Sequence, residues 1–289
     1  MTLETAAPFV VGVGRSGTTL LRLILDAHPE LAIPAETQFL PKLLRLREEG
    51  DALRAAAQSM MTSASTWADF GIPAERLEEA FARLSPFTLA DGLRTFYRLY
   101  AAKFGKSRWG EKTPFYGLRM GAIEAVLPEA HFVHLIRDGR DVALSLRPLW
   151  FSPGHEIEAQ AENWLTKVST IRANGRECHH YLEIRYEDLV LDTESTVRRV
   201  CDFIALRYDP RMLSYHRSAE ARLGEIGDEY RFKETRISKG ARMRLHENAV
   251  RPPDPARVGR WRSDMSCGDR ETFTSIAGRL LAELGYPLS

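Results

Sequence analysis

Residues 8–21 read "PFVVGVGRSGTTLL", and no other stretch narrows the fold as much. Phe9 to Val13 is a short apolar run rich in β-branched residues, the composition of a buried parallel strand. From Thr18 onward Leu20, Leu21, Ile24 and Leu25 supply the apolar side of a helix that ends near His28-Pro29. A strand that turns through glycines directly into a helix aims successive backbone N–H groups, and the helix dipole, at an anion. Gly12, Gly14 and Gly17 spell G-x-G-x-x-G, while Gly12 and Gly17 also frame a P-loop in which Thr18 stands where the lysine belongs. The stretch therefore predicts a phosphate-binding turn without saying which phosphate.

The same order of strand, turn and helix recurs. "LAIP" (31–34) is a second short strand candidate, "HFVHLI" (131–136) a third with a helix over Asp138 to Leu149, and "HYLEIRY" (180–186) a further strand with a helix over about 192–205. This pattern predicts an α/β fold with a P-loop-like, mainly parallel sheet flanked by helices. Residues 39–105 are rich in Ala, Leu, Arg and Glu and predict a helical cap inserted into it. Residues 220–258 are charged, contain Gly and Pro and lack periodicity, so they read as a long loop segment of the kind that is often functional. "RETFTSIAGRLLAELGY" is a terminal helix. With no internal repeat and no visible boundary, 1–289 reads as a single domain.

Composition excludes several classes. At 44% hydrophobic and 27% charged residues the chain is neither disordered nor fibrous. A net charge of +1 gives no bulk attraction to nucleic acid or an anionic membrane, so an anion site must be a local cluster of cations. The cysteines, Cys178, Cys201 and Cys267, have no CxxC spacing and suit reduced thiols in a cytoplasmic protein. No run approaches the ~20 apolar residues of a membrane span, and Met1 to Pro8 shows no basic-then-apolar secretory signal.

Two ligand families compete for the loop. A dinucleotide fold would use Glu36, about 20 residues beyond it, on a ribose. A nucleoside triphosphatase needs the missing lysine and an acidic partner for Mg²⁺, and no apolar strand ends in a lone Asp suited to that metal. Arginine, hydroxyls and amides suggest an anion bound without a metal. Other clusters bear on the choice: "HLIRDGRDVALSL" (134–146) puts Arg137 at a strand end and Ser145 in the next helix, where both can reach one phosphate. A salt-bridged surface cluster of Arg137, Asp138, Arg140 and Asp141 is the plain alternative. "WGEKTP" carries Lys112 beside Glu111, "RYEDLV" carries Tyr186, and "RVGRW" carries Arg260.

Together, "GRSGTTLLRLILDAHPE", "ETQFLP", "EKTP", "RDGRDVALS", "RYEDLV" and "PPDPARVGRW" resemble the sulfotransferases that use 3′-phosphoadenosine 5′-phosphosulfate (PAPS). Within that family the similarity is to the branch containing the tyrosylprotein sulfotransferases and many bacterial relatives. The motifs stand in the family's order over most of the chain. The resemblance implies that Arg15, Ser16, Gly17, Thr18 and Thr19 wrap the 5′-phosphosulfate, and that Arg137 and Ser145 hold the 3′-phosphate, with Arg147 a further candidate. It implies Tyr186 near the adenine, Arg260 on the cofactor phosphates, Glu36 as general base, and Lys112 with Arg15 stabilising the transferring group. Glu36 also has a ribose or loop reading, Lys112 a pairing with Glu111, and Tyr186 a core reading.

The implied reaction moves a sulfonate from PAPS to a small-molecule, carbohydrate, lipid or phenolic hydroxyl, releasing PAP, with no metal. The anchor and lumenal disulfides of the tyrosylprotein enzymes have no counterpart here. "KGARMRLHENAV" lacks the serine expected near their site, which weakens the case for a peptidyl-tyrosine acceptor and leaves His246 or Lys239 as local substitutes. Acceptor specificity is expected in residues 39–105. The rival expectations are an NAD(P)-dependent oxidoreductase and a non-catalytic nucleotide-binding protein.

Overall fold

A computed structural model of the protein describes residues 5–232 and 235–289. Strand β1 (Ala7–Gly12) is buried at every position. Its side chains divide by the period of two that a strand imposes: Phe9 and Val11 join one core cluster, Val10 another. Helix α1 (Thr18–Asp26) follows the glycine turn and is buried almost all round. β2 (Leu31–Ala32) pairs with β3 (Arg108–Trp109) in a small parallel ladder of its own. Between them lie α2 (Leu40–Leu43), α3 (Gly50–Thr62), α4 (Ala74–Ala82) and α5 (Leu89–Ala102), the expected helical cap.

The main sheet is four-stranded in the order β4-β1-β5-β6, with β4 at Glu111–Lys112, β5 at Ala130–Ile136 and β6 at Tyr181–Arg185. All its pairings are parallel, with Val10 opposite Lys112, Gly12 opposite Leu135 and Ile136 opposite Arg185. Every strand therefore ends at the same edge, where open α/β sheets bind ligands. β4 was not expected from the sequence, since two charged residues carry no strand signal. It takes the place beside β1 that a dinucleotide fold gives to its second strand, and β2 stays outside the sheet.

A 3₁₀ turn (Pro114–Arg119) leads to α6 (Met120–Val126), and α7 (Gly139–Leu146) follows β5. α7 is shorter than Asp138 to Leu149 because Pro148 disfavours helical backbone just before it. α8 (Ile157–Arg176), α9 (Tyr186–Leu191), α10 (Thr193–Phe203) and α11 (His216–Leu223) complete the flanks. The cap packs Phe39, Phe70, Phe96 and Tyr97, together with Trp109 of β3, against Phe9 and Phe132 on one face. α1, α9, α10 and α11 cover Val10, Val133, Leu135 and Ile184 on the other.

Residues 220–258 are more ordered than their composition suggests. β7 (Glu229–Phe232) and β8 (Thr235–Ser238) form an antiparallel hairpin, followed by α12 (Lys239–Arg244). Tyr230 and Ile237 face each other and are both buried, so the hairpin has one apolar face too short to stand out among charges. α13 (Trp261–Asp264) and α14 (Cys267–Glu283) end the chain and pack with α7 and α8 around Trp164, Phe273 and Trp261. No helix among the described residues is long and apolar enough to cross a membrane.

Gly12 has φ +155°, and a Cβ there would lie 2.6 Å from the Leu135 carbonyl oxygen. Backbone on a central strand cannot yield cheaply. Gly12→Ala is expected to lower stability by about 1–3 kcal/mol, as core overpacking does, seen as a lower urea midpoint at unchanged slope.

Candidate active site

The loop between β1 and α1 is built around residues that leave no room. Gly17, the N-cap of α1, has φ 93°, and a side chain there would overlap the Tyr186 ring. Arg15 has φ 73°, a left-handed conformation rare for a non-glycine residue, which is the kind of outlier found at binding sites. Its Nε donates to Ser145 Oγ at 3.1 Å and its Nη1 to the Leu245 carbonyl at 2.7 Å. Arg137 leaves β5 and donates to the Arg15 carbonyl at 3.3 Å and the Arg257 carbonyl at 2.7 Å. Its guanidinium lies 4.3 Å from the centre of the Tyr186 ring. Burial, with Arg137 alongside, lowers the pKa of Arg15. Ser16 Oγ and Arg137 Nε are buried with no protein partner.

The remaining charges of "RDGRD" have structural work. Asp138 caps α7 by accepting from the Arg140 N–H at 3.0 Å and grips the Arg140 side chain, with Nη2 2.8 Å from Oδ2. Asp141 accepts from the N–H groups of Gly259 at 2.8 Å and Trp261 at 2.9 Å. The Arg140 guanidinium sits 3.5 Å over Trp261. The salt-bridge reading of this cluster holds for Arg140 with Asp138 and, at 3.4 Å, for Arg137 with Asp141, while Arg137 also joins the loop through the Arg15 carbonyl. Through Asp141, "GRW" is fastened to α7, and Arg260 reaches the cavity rim, half-exposed and paired with Asp264 at 2.5 Å.

At β4 the pleat sends neighbours to opposite faces. Lys112 turns to the loop: its Nζ lies 2.7 Å from Glu36 Oε1 and 3.4 Å from Thr19 Oγ1. It pairs with Glu36 and not with Glu111. Burial pulls the Lys112 pKa down, against the opposing pull of Glu36. Glu111 turns into the cap, accepting from Tyr97 at 2.6 Å, Thr113 at 2.6 Å and Thr37 at 3.0 Å. Gln38 lies 3.5 Å from Glu36 and accepts from the Tyr230 hydroxyl at 2.9 Å.

Arg15, Gly17, Thr18, Thr19, Glu36, Lys112, Arg137, Ser145, Tyr186 and Arg260 all line one cavity of about 700 Å³. Ser16 lies behind them, buried. Two suggested residues do not join. Arg147 turns outward to Asp269 at 2.8 Å and to the His155 carbonyl, and Lys239 bonds the Gly224 carbonyl at 3.0 Å. His246 does line the cavity; burial, then Lys112 and Arg15, hold its imidazole neutral. No lining residue comes from 39–105, so the cap does not shape the cavity wall.

Sequence reasoning missed Arg22, Lys167, Arg242 and Arg257, which also face the cavity. Arg22 had a legible signal, an arginine inside the apolar stripe of α1. It is buried and donates to the Ile33 carbonyl at 2.9 Å. Arg242 sits in the segment read as loop and is held by Asp69, with Nη1 2.9 Å from Oδ1. Among the described residues, no group of three or more His, Cys, Asp or Glu side chains converges as a metal site.

With this geometry in view, comparison with known proteins is decisive about family. A sulfotransferase family profile matches residues 8–210, and the chain belongs to that family and is an enzyme of that class. Protein-tyrosine sulfotransferase 1 of Danio rerio is 24% identical over 286 residues, covering 96% of this chain and 71% of the relative. Nodulation protein NoeE of Sinorhizobium fredii is 26% identical over 312 residues, covering 97% and 66%. The sulfotransferase domain of the Synechococcus PCC 7002 olefin synthase shares the fold at TM-score 0.63 and 23% identity, covering 100% of this chain and 98% of that one. The sulfotransferase domain from the curacin biosynthetic pathway does so at TM-score 0.62 and 16% identity, covering both chains fully at 100%.

Glu111 supplies a pH test of the site's support. Burial pushes its carboxyl up from 4.5 to about 7. The folded protein then holds this proton more tightly than the unfolded chain does. The stability it contributes is complete below about pH 4.5 and is lost as pH rises toward 7, on the order of 3 kcal/mol. Glu111→Gln should flatten the fall in urea midpoint over that window; a parallel fall in both proteins would contradict the assignment.

Proposed function

We propose that the chain transfers a sulfonate group from PAPS to a hydroxyl or phenol of a small acceptor, releasing PAP, without a metal. The observation that carries this reading is the Glu36–Lys112 pair, 2.7 Å apart, beside Thr19 at the start of α1 and on the cavity wall. The donor supplies an activated sulfonate whose bond to the 5′-phosphate oxygen breaks as the acceptor oxygen bonds to sulfur. Glu36 takes the acceptor's proton, a contribution typically worth ~10²–10⁴-fold. Protonation removes the charge that holds the Lys112 ammonium, which is then free to bond the oxygen on which charge develops. Arg15 and the backbone amides of the loop add fixed positive potential at the same place.

The residues present suit such a donor. Ser16 Oγ and Arg137 Nε are buried donors lacking partners, and anions are what buried donors of this kind accept. Arg15, Ser16, Gly17, Thr18 and Thr19 are assigned to the phosphosulfate, Arg137, Ser145 and Arg257 to the 3′-phosphate, Tyr186 to the adenine side, and Arg260 to the rim. Phe115, Leu118, Trp150, Phe151, Ile171 and Tyr230 give the remaining cavity an apolar, aromatic wall, which supports a small acceptor with an apolar or phenolic body. A cytoplasmic setting belongs to this reading, supported by the free thiols of Cys178, Cys201 and Cys267. So does a single catalytic unit over the whole chain, supported by the packing of α14 against α7 and α8.

PAP should raise the melting temperature in the presence of EDTA, by roughly 2.7 kcal/mol of stability at 100 times its dissociation constant. ATP, 5′-ADP and NAD(P) should do much less, and stabilisation by NAD(P)H alone would overturn the donor assignment. Glu36→Gln should bind PAP normally while kcat falls by about 10²–10⁴-fold. If PAP affinity collapses and turnover of the bound complex survives, Glu36 is a donor ligand.

A further inference from the structure

Four cavity cations, Arg22, Lys167, Arg242 and Arg251, have no part in the donor scheme; Arg22 is held by the Ile33 carbonyl, Arg242 by Asp69, and Arg251 is exposed, which leaves Lys167. Lys167 sits on the inward side of α8, one turn before Ile171 and between Trp164 and Val168, which are buried. Trp164 donates to the Arg137 carbonyl at 3.1 Å, which fixes one end of this stretch against the end of β5. At the other end Ile171 presses on Gly117, where a Cβ would lie 2.8 Å from it, so α8 is seated on the 3₁₀ turn that carries Phe115 and Leu118. Lys167 therefore lines the cavity from the same helix as Ile171, which with Phe115 and Leu118 belongs to the apolar wall.

No hydrogen bond or ion pair engages its ammonium among the described residues, and burial alone lowers its pKa. Among the described residues, the two carboxylates lining the cavity are engaged elsewhere, Glu36 by Lys112 at 2.7 Å and Asp254 by Arg257 at 3.6 Å. A half-buried ammonium on a cavity wall, with no counter-ion among the described residues, has lost part of its hydration without compensation, and an anionic group would restore it. Resting on the sulfonate-transfer reading above, we infer that Lys167 is a specificity residue that holds an anionic group, such as a carboxylate, on an acceptor whose apolar body lies along Phe115, Leu118, Phe151 and Ile171. The acceptor class is then an amphipathic hydroxy acid: hydroxyl toward Glu36, apolar spacer, anion on Lys167.

The test uses a series of ω-(4-hydroxyphenyl)alkanoates and their primary amides, titrated calorimetrically into the PAP-loaded protein. The best acid should bind about 10- to 100-fold more tightly than its amide, the range of one charge-assisted hydrogen bond. With PAPS the same preference should appear in kcat/KM. Lys167→Met should bind acid and amide alike, and Lys167→Glu should prefer the amide. The rise in melting temperature with PAP reports a folded donor site in each variant. Equal binding of acid and amide by the wild type, or binding of neither, overturns the proposal. So does a Lys167→Met protein that loses both ligands equally or loses the PAP response, since the lysine would then be structural or a donor ligand. Failure of PAP to stabilise the wild type strikes first at the donor reading, and the acceptor proposal falls with it.

Discussion

Positive charge is crowded at one edge of the sheet, in a chain whose net charge is only +1. Arg15, Lys112 and Arg137 sit with Arg22, Arg242 and Arg257 around one cavity. Mutual repulsion and burial both act against this arrangement, visible in the lowered pKa values of Arg15 and Lys112. The fold holds it partly with carboxylates, Asp69 on Arg242, Asp141 on Arg137 and Asp254 on Arg257, and partly with neutral acceptors: the carbonyls of Arg15, Ile33, Leu245 and Arg257 accept from the guanidinium groups of Arg137, Arg22 and Arg15. Carbonyls orient a cation without cancelling its charge. At Arg15 and Arg22, which have no carboxylate partner among the described residues, the potential remains available to an incoming anion.

Where the protein does use carboxylates near this edge, it uses them for anchoring. Asp141 fastens the Gly259 and Trp261 amides, Asp138 restrains Arg140, and Asp69 holds Arg242. Glu36 is the exception, half-buried, on the cavity wall and in contact with a single ammonium. Its pairing follows from the pleat of a two-residue strand, which sends Glu111 into the cap and Lys112 to the site. Exchange of those two positions would bury a lysine against Tyr97 and Thr37 and leave two carboxylates facing each other.

Legibility in the sequence followed the length of the pattern. β1, β5 and β6 are continuous apolar or alternating runs, and the turn chemistry of Gly12 and Gly17 was plain, so the sheet core and the loop could be anticipated. β4 could not, because two charged residues join the sheet only through pairing with β1. The β7–β8 hairpin was hidden in the same way, its single apolar face spread over Tyr230 and Ile237 among charges. Arg15, Lys112, Arg137 and Ser145 were found through motifs. Lys167 and Arg242 belong to no such motif, and only packing brings them to the cavity. Arg147 shows the converse: two residues past Ser145, it lies on the far side of the helix and turns outward to Asp269.

The cap acts on the site from behind. None of residues 39–105 lines the cavity, yet their side chains hold what does. Tyr97 donates to Glu111, which accepts from Thr37 beside Glu36. Thr66 donates to the Thr37 carbonyl at 2.8 Å, and Asp69 binds both Arg242 and the Gly227 N–H at 2.7 Å. The cap thus braces the Glu36 segment and the chain around α12 together. Variation in the cap interior therefore reaches the cavity through the placement of Glu36 and Arg242, whereas the wall itself is formed by residues of the 3₁₀ turn, α8, Trp150, Phe151 and the β7–β8 hairpin. A helical insertion of this kind can drift in sequence while the cavity wall changes independently, because the two share a boundary of hydrogen bonds and no lining residue.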